Sequence, residues 1–219
     1  NSDPGELSVP PERTWIFRTN ADGELCFTEE SKIGGDEFYK NDAGENVLPL
    51  GTVTIREVKA PAGYLLNENI YVEEIRQDGS SPDDTVYHVP EVPEQIIRGD
   101  LQFVKFREDE DENQDQKTSL EGIVFTVTSK TTGEEIQIIT DENGYASTKT
   151  EGGERGGLVY DTYVVSEENA PEGLLPVEDF EITVSEEGRT LYYILEDKRI
   201  FSPVRLVKKD ADSGETIPL

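Results

Sequence analysis

The sequence predicts an all-β protein of tandem domains, and three observations carry that prediction. Strand-type residues alternate with polar ones in short runs through both halves of the chain, the period of a half-buried strand. Turn signals rich in Gly, Asp, Asn and Pro separate these runs at regular intervals. No segment sustains a 3.6-residue apolar period, so few helices are expected. With 219 residues the chain has room for two domains of about 100 residues each.

Taken in order, Asn1 to Arg13 is polar and proline-containing. Trp15 to Phe17 starts the first strand. Leu25 to Phe27 is predicted to pair with it across Thr19-Asn20-Ala21-Asp22-Gly23, since Asp-Gly tolerates the positive φ of a hairpin turn. Ser31 to Asn46 reads as an insertion rich in Gly, Asp and Lys. Leu48-Pro49-Leu50-Gly51-Thr52 resembles a sortase sorting signal only superficially: its last two residues are reversed and no apolar tail follows, so it reads as the start of a strand. Val53, Ile55 and Glu57 then share one strand face. Ala60-Pro61-Ala62-Gly63 stops that strand, because proline cannot donate to a ladder and glycine permits a turn. Tyr64 to Glu74 is a strand, Gln77 to Asp84 a turn, Thr85 to Val89 a returning strand, and Val92 to Arg98 leads out of a first domain, 1–98.

A second domain, 99–200, opens at Leu101, Phe103 and Lys105, which alternate on one face. Glu108 to Asp115 is an acidic loop. Gly122 to Val127 is a strand with Val124 or Phe125 inward. Glu135 to Thr140 and Gly144 to Thr148 follow, joined by the turn Thr140-Asp141-Glu142-Asn143-Gly144. Gly152, Gly153, Gly156 and Gly157 make a flexible connection to the strand Thr162 to Glu167, on which Tyr163, Val165 and Glu167 share a face. Phe180 to Val184 and Leu191 to Asp197 complete the set, with Leu191, Tyr193, Leu195 and Asp197 on one side. Residues 201–219 repeat this opening: Val204, Leu206 and Lys208 match Leu101, Phe103 and Lys105, so they read as the first strand of a further repeat.

A formal charge of −28 argues against nucleic acid and anionic membranes as partners, since phosphates demand Lys and Arg; it suits a crowded, solvated surface. The single cysteine excludes an intrachain disulfide, and Cys26, in a strand-like run, is expected to be a buried thiol. No apolar run approaches the roughly 20 residues that span a bilayer. With neither a signal peptide nor a methionine, the sequence reads as a processed product or an excised fragment. Asp109, Asp111 and Asn113 imitate the start of a calcium loop, but the sixth-position glycine and twelfth-position glutamate are missing. No metal or cofactor is therefore expected. Lone His88 has no matching nucleophile, so the chain is not read as a turnover enzyme.

Glu-x-x-Ala-Pro-x-Gly occurs twice, at Glu57 to Gly63 and Glu167 to Gly173. An acid ending a core-facing stripe is costly to bury as an anion, and in the second domain Lys105, Glu167 and Asp197 each end such a stripe. Meeting in one apolar pocket, they would be driven toward neutral forms. A neutral amine is a nucleophile, and a protonated Glu167 could polarise the Asp197 carboxyl and shuttle the proton, giving a Lys105–Asp197 amide with loss of water. Lys near the start, Glu-x-x-Ala-Pro-x-Gly in the middle and Asp at the end resemble the Cna B-type (SpaA-like) domains of Gram-positive pilins and surface adhesins. The resemblance implies tandem β-sandwiches of inverse immunoglobulin type. It also implies an autocatalytic isopeptide bond between Lys105 and Asp197, with Glu167 as the catalytic acid.

The first domain departs from that pattern. Glu57 matches the acid, but counting back from Lys105 as from Lys208 puts Glu94 at the acceptor position, and no lysine precedes Thr19 at the spacing of Lys105 from Thr140. No bond is expected within this domain, which reads as lacking its opening strand. The tail, with Lys208, could fill that slot in a neighbouring molecule by strand complementation. The functional reading is a stalk fragment of a cell-wall-anchored, sortase-attached extracellular pilin or adhesin, its anchor outside this sequence. Its partners would be neighbouring domains or subunits. The alternative is an adhesin module binding host matrix or glycan, for which the Phe38 and Tyr39 stretch is the candidate surface.

Overall fold

The computed structural model describes residues 10–75, 91–108, 117–150, 152–153, 155–209 and 211–216. Every regular element among them is a strand, and no helix there is long and apolar enough to cross a membrane. The chain forms two compact units, Asn1–Pro61 with Leu66–Gln95, and Ala62–Leu65 with Ile96–Leu219. The predicted strand Thr85 to Val89, His88, and the acidic run from Asp109 lie outside the described residues.

In the first unit, β1 (Trp15–Phe17), β2 (Lys32–Gly35), β3 (Tyr39–Lys40), β4 (Asn46–Val47) and β5 (Gly51–Arg56) are short. Strand β1 pairs antiparallel with β2, Trp15 opposite Gly35, rather than with Leu25 to Phe27, which forms no strand. The reason is aromatic packing. Phe27 leaves the ladder to meet Trp15 and Phe38, with ring centroids 5.4 and 4.4 Å away, and edge-to-face pairs of this kind add to plain burial. The same packing takes Phe38 to 4% exposure, so of the two aromatics in the candidate adhesin surface only Tyr39, half-buried, is left open to solvent. Ser31 to Asn46, read as an insertion, holds β2, β3 and the start of β4. Cys26, expected to be buried, is exposed. Beyond β5, the predicted strand Tyr64 to Glu74 divides into β6 (Tyr64–Leu65) and β7 (Ile70–Ile75), with β7 antiparallel to β5. The break is local, because the Asn67 side chain accepts from Asn69 N at 3.0 Å and turns the chain.

The second unit carries the larger core. After β8 (Gln95–Ile96) come β9 (Arg98–Arg107), β10 (Thr118–Ser119), β11 (Val124–Ser129), β12 (Glu135–Ile139), β13 (Tyr145–Ser147), β14 (Leu158–Val159), β15 (Asp161–Glu167), β16 (Leu174–Leu175), β17 (Phe180–Val184) and β18 (Thr190–Arg199). One sheet runs β10-β9-β18-β16, with β13 and β14 also on β9; the other runs β12-β11-β15-β17. The first and last long strands, β9 and β18, are parallel neighbours. The inward alternation of β9 buries Leu101, Phe103 and Lys105, and that of β18 buries Leu195 and Asp197. Of the two candidates on β11, Phe125 points inward at 0% exposure, against Phe103 at 4.6 Å between centroids.

Turns recur with one design. Asn20, Asn41 and Asp141 each accept from the backbone N–H groups two and four residues on, at 2.8–3.0 Å. Among these the Asn41 turn joins the paired strands β3 and β4, and the Asp141 turn carries the chain from one sheet to the other. The glycines read as a flexible connection include a close-packed one: a Cβ on Gly157 would lie 2.0 Å from Thr148 O, and Gly157 N donates to the buried Asp100 at 2.8 Å. Residues 201 to 208 form no strand, and Val204 and Leu206 are 85% and 92% exposed.

At the other end of the sandwich Asp161 accepts from Ser129 Oγ, Thr131 Oγ1 at 2.7 Å and Thr162 N at 2.7 Å. These bonds, the Ser129 hydroxyl first, hold its carboxyl below the ordinary range. A depressed folded pKa gives stability that is complete above the unfolded value of about 3.9 and is lost as pH falls through the folded value. Asp161→Ala should cost about 1–2 kcal/mol at pH 7 and flatten the acid limb of the stability profile. Denaturant unfolding at pH 7 and pH 3 measures both; an unchanged acid limb would remove Asp161 from the account.

Candidate functional site

The three residues singled out in the second domain come together. Lys105 arrives on β9 and Asp197 on β18, two residues beyond Leu195, the register partner of Lys105. Both strands belong to one sheet, and parallel pairing points Lys105 and Asp197 to the same interior face. Glu167 reaches in from the end of β15 on the opposing sheet, where it lies opposite Phe125 in register. Lys105 Nζ donates to Glu167 Oε2 at 2.7 Å and to Asp197 Oδ1. All three side chains are completely shielded from solvent, and the Phe125 ring lies 5.6 Å from Nζ.

Burial raises the Asp197 carboxyl above its usual range; Lys105 opposes that shift and the neighbouring Glu167 carboxyl adds to it. Glu167 Oε1 and Asp197 Oδ2 are buried without a hydrogen-bond partner among the described residues, so a proton in this pocket has two free oxygens to occupy. Leaving polar atoms bare and dry is costly, and a buried lysine–carboxylate cluster is a poor source of stability compared with apolar packing.

The surroundings fix each member. Val177 N donates to Glu167 Oε2 at 3.0 Å, so the Ala-Pro-x-Gly turn folds back to hold the acid. Asn169 accepts from Val124 N at 2.6 Å and donates to Gly122 O at 3.3 Å, tying that turn to β11. Lys105 N donates to Gly144 O at 2.8 Å, and a Cβ on Gly144, at φ 73°, would lie 2.3 Å from Lys105 O. Sequence reasoning read Gly144 as the end of a turn and the start of a strand, with no link to Lys105, and passed over Asn169. The Glu-x-Asn spacing to Glu167 was the one available signal for the latter.

The first repeat keeps part of this plan. Asn67 N donates to Glu57 Oε2 at 2.7 Å, ten residues on, as Val177 does to Glu167. Ile97 N donates to Gly63 O at 2.8 Å, as Ile200 N does to Gly173 O at 2.9 Å. Counting back three residues from each isoleucine aligns Glu94 with Asp197, which agrees with the sequence spacing. Glu94 is exposed, and its carboxyl is raised by local desolvation and then by the charge of Glu57. Lys208 lies exposed in the tail. No group of His, Cys, Asp and Glu able to hold a metal occurs among the described residues.

Comparison with known proteins agrees with this architecture. The family model described as a SpaA prealbumin-like fold domain matches residues 14–87 and 109–199. The curated proteins give no significant match. Among solved structures the chain is similar to the TIE protein of Bacillus anthracis, with 23% identity and a TM-score of 0.54, over 86% of this chain and 31% of that one. It is also similar to GBS52, the minor pilin of Streptococcus agalactiae, with 21% identity and a TM-score of 0.41, over 82% of this chain and 74% of that one. The chain thus spans less than a third of the TIE protein's length. Two repeats with the same turn-held acid, and a family match over more than half of the sequence, lead to one assignment: the chain belongs to the SpaA family of prealbumin-like fold domains.

Proposed function

We propose that this chain is a load-bearing stalk segment of a pilin or adhesin displayed outside a Gram-positive cell and attached to its wall. In this reading Lys105 and Asp197 are joined by an amide that Glu167 helps to make. The observation that carries it is the enclosed Lys105–Glu167–Asp197 cluster on the first, inner and last strands. The match of the chain to SpaA prealbumin-like fold domains points the same way.

The reaction balances without a cofactor. Nζ of neutral Lys105 attacks Cγ of the Asp197 carboxylic acid and forms a C–N bond. Glu167 takes a proton from nitrogen and gives one to the departing hydroxyl. The C–O bond breaks, water leaves, and Glu167 ends in the protonation state in which it began. Holding the groups in contact supplies the effective molarity for a step that is slow between free reactants. The reaction happens once per chain and gives no turnover.

Mechanically, the amide would join two parallel neighbours near the start and end of the unit, so tension would pass from β9 to β18 and bypass the residues between. Its neighbours in the assembly would be further domains or subunits of the same kind, with 201–219 supplying a strand head to tail. Tryptic mapping tests the linkage. Expected is a branched peptide joining Gly99–Arg107, uncut at Lys105, to Thr190–Lys198; recovery of Gly99–Lys105, cut at a free lysine, together with unlinked Thr190–Lys198 would refute it.

A further inference from the structure

The geometry points to Glu108 as a positioning residue that holds the Asp197 carboxyl against Lys105. Its role depends on the amide proposed above. Both backbone groups of Lys105 bond away from β18: its N–H donates to Gly144 O at 2.8 Å, and its carbonyl accepts from Leu120 N at 3.1 Å. The spacing between Lys105 and Asp197 is therefore set by neighbouring residues across the β9–β18 seam. Glu108 directly follows the last residue of β9 and makes a rung to the acceptor itself, with Glu108 N donating to Asp197 O at 2.9 Å.

Beyond that rung the ladder changes. Evenly spaced parallel pairing would next send Arg199 N to the Glu108 carbonyl. Instead Arg199 N donates to Glu108 Oε2 at 3.0 Å, and the Glu108 carbonyl accepts from Arg199 Nε at 3.0 Å. Main chain and side chain have exchanged partners, so the Glu108 carboxylate closes the seam in place of its own carbonyl. One residue thus grips β18 at Asp197 and again at Arg199. The opposite edge of β18 is held here by Leu174 and Leu175 of β16, and Ile200 N donates to Gly173 O at 2.9 Å. Without the Glu108 carboxylate, β18 keeps that outer hold and loses the inner one, which draws Asp197 away from β9. The position needs an acceptor oxygen on a two-methylene arm, and the charge is secondary.

Intact mass spectrometry of freshly made chains, followed over time, tests this. Glu108→Gln keeps an acceptor at the same reach and should lose one water at the wild-type rate. Glu108→Asp keeps the charge but is one methylene short, and Glu108→Ala keeps neither charge nor reach. Both should lag about tenfold, since small misplacements of reacting groups slow a step steeply. Wild-type rates in Glu108→Asp and Glu108→Ala would overturn the positioning role and leave the amide standing. A lag in Glu108→Gln would tie the effect to charge and not to the acceptor, which also overturns it. A wild type that stays at its full sequence mass would remove the amide and this role together. In a Lys105→Ala chain, where no amide forms, adding Glu108→Asp or Glu108→Ala should leave the melt as cooperative as that of the parent. Loss of that transition in both would make Glu108 a residue of the fold and not of the site.

Discussion

A Glu167→Ala chain is expected to keep the full mass of its sequence and to melt far below the wild type. Lys105 and Asp197 are 92 residues apart in sequence. In the chain-entropy account, a cross-link closing a loop of that length restricts the unfolded state by about 4–5 kcal/mol, equivalent to roughly 20 °C in Tm for a domain of this size. The variant loses this and leaves Val177 N without its acceptor, a further cost of about 1 kcal/mol. Glu167→Gln separates the two effects, since it retains an acceptor oxygen for Val177 but cannot shuttle a proton. It should show the same mass and most of the same loss. If Glu167→Gln melts with the wild type, stability does not come from an acid-assisted cross-link.

The second large effect is expected at Gly144, a residue that touches none of the reacting atoms. An added methyl group would lie 2.3 Å from Lys105 O, and φ at this position is 73°. Backbone strain of that kind costs about 1–3 kcal/mol, and relieving the clash must push β9 or the Asp141 turn outward. Gly144→Ala should therefore lose about 2–4 kcal/mol in denaturant unfolding. Moving β9 also moves Lys105, and misplacing reacting groups by about 1 Å can slow a step on the order of a hundredfold. The mass change to the linked form should accordingly lag in freshly made Gly144→Ala protein. Loss of stability with linkage at the wild-type rate would show that the turn supports the fold without positioning the amine.

Much of the site was legible in the sequence because strand alternation fixes which side chains share a face. Lys105, Glu167 and Asp197 each stand two residues beyond a buried apolar residue, and period 2 alone turns them inward. That they converge at one end of the sandwich follows from topology. The parallel pairing of β9 with β18 sets Lys105 beside Leu195, and no local pattern encodes that register. Tertiary packing overrode local signals in the first unit. Leu25, Cys26 and Phe27 look like a strand, but Phe27 is worth more against Trp15 and Phe38 than in a ladder. The sequence reading matched the Asn20 turn with that of Asp141, but Asn41 makes the same turn, so turn chemistry alone does not single out the counterpart. Gly144 and Gly157 matter through the carbonyls they approach, which a sequence does not show.

The central claim is that a lysine amine and an aspartic acid, sealed in an apolar pocket with a shared proton carrier, become one amide. Intact mass spectrometry of the purified, denatured wild-type chain tests it most directly. The account predicts a mass one water below that of the sequence; the full sequence mass would mean the cluster is a buried ion pair and the stalk has no covalent tie.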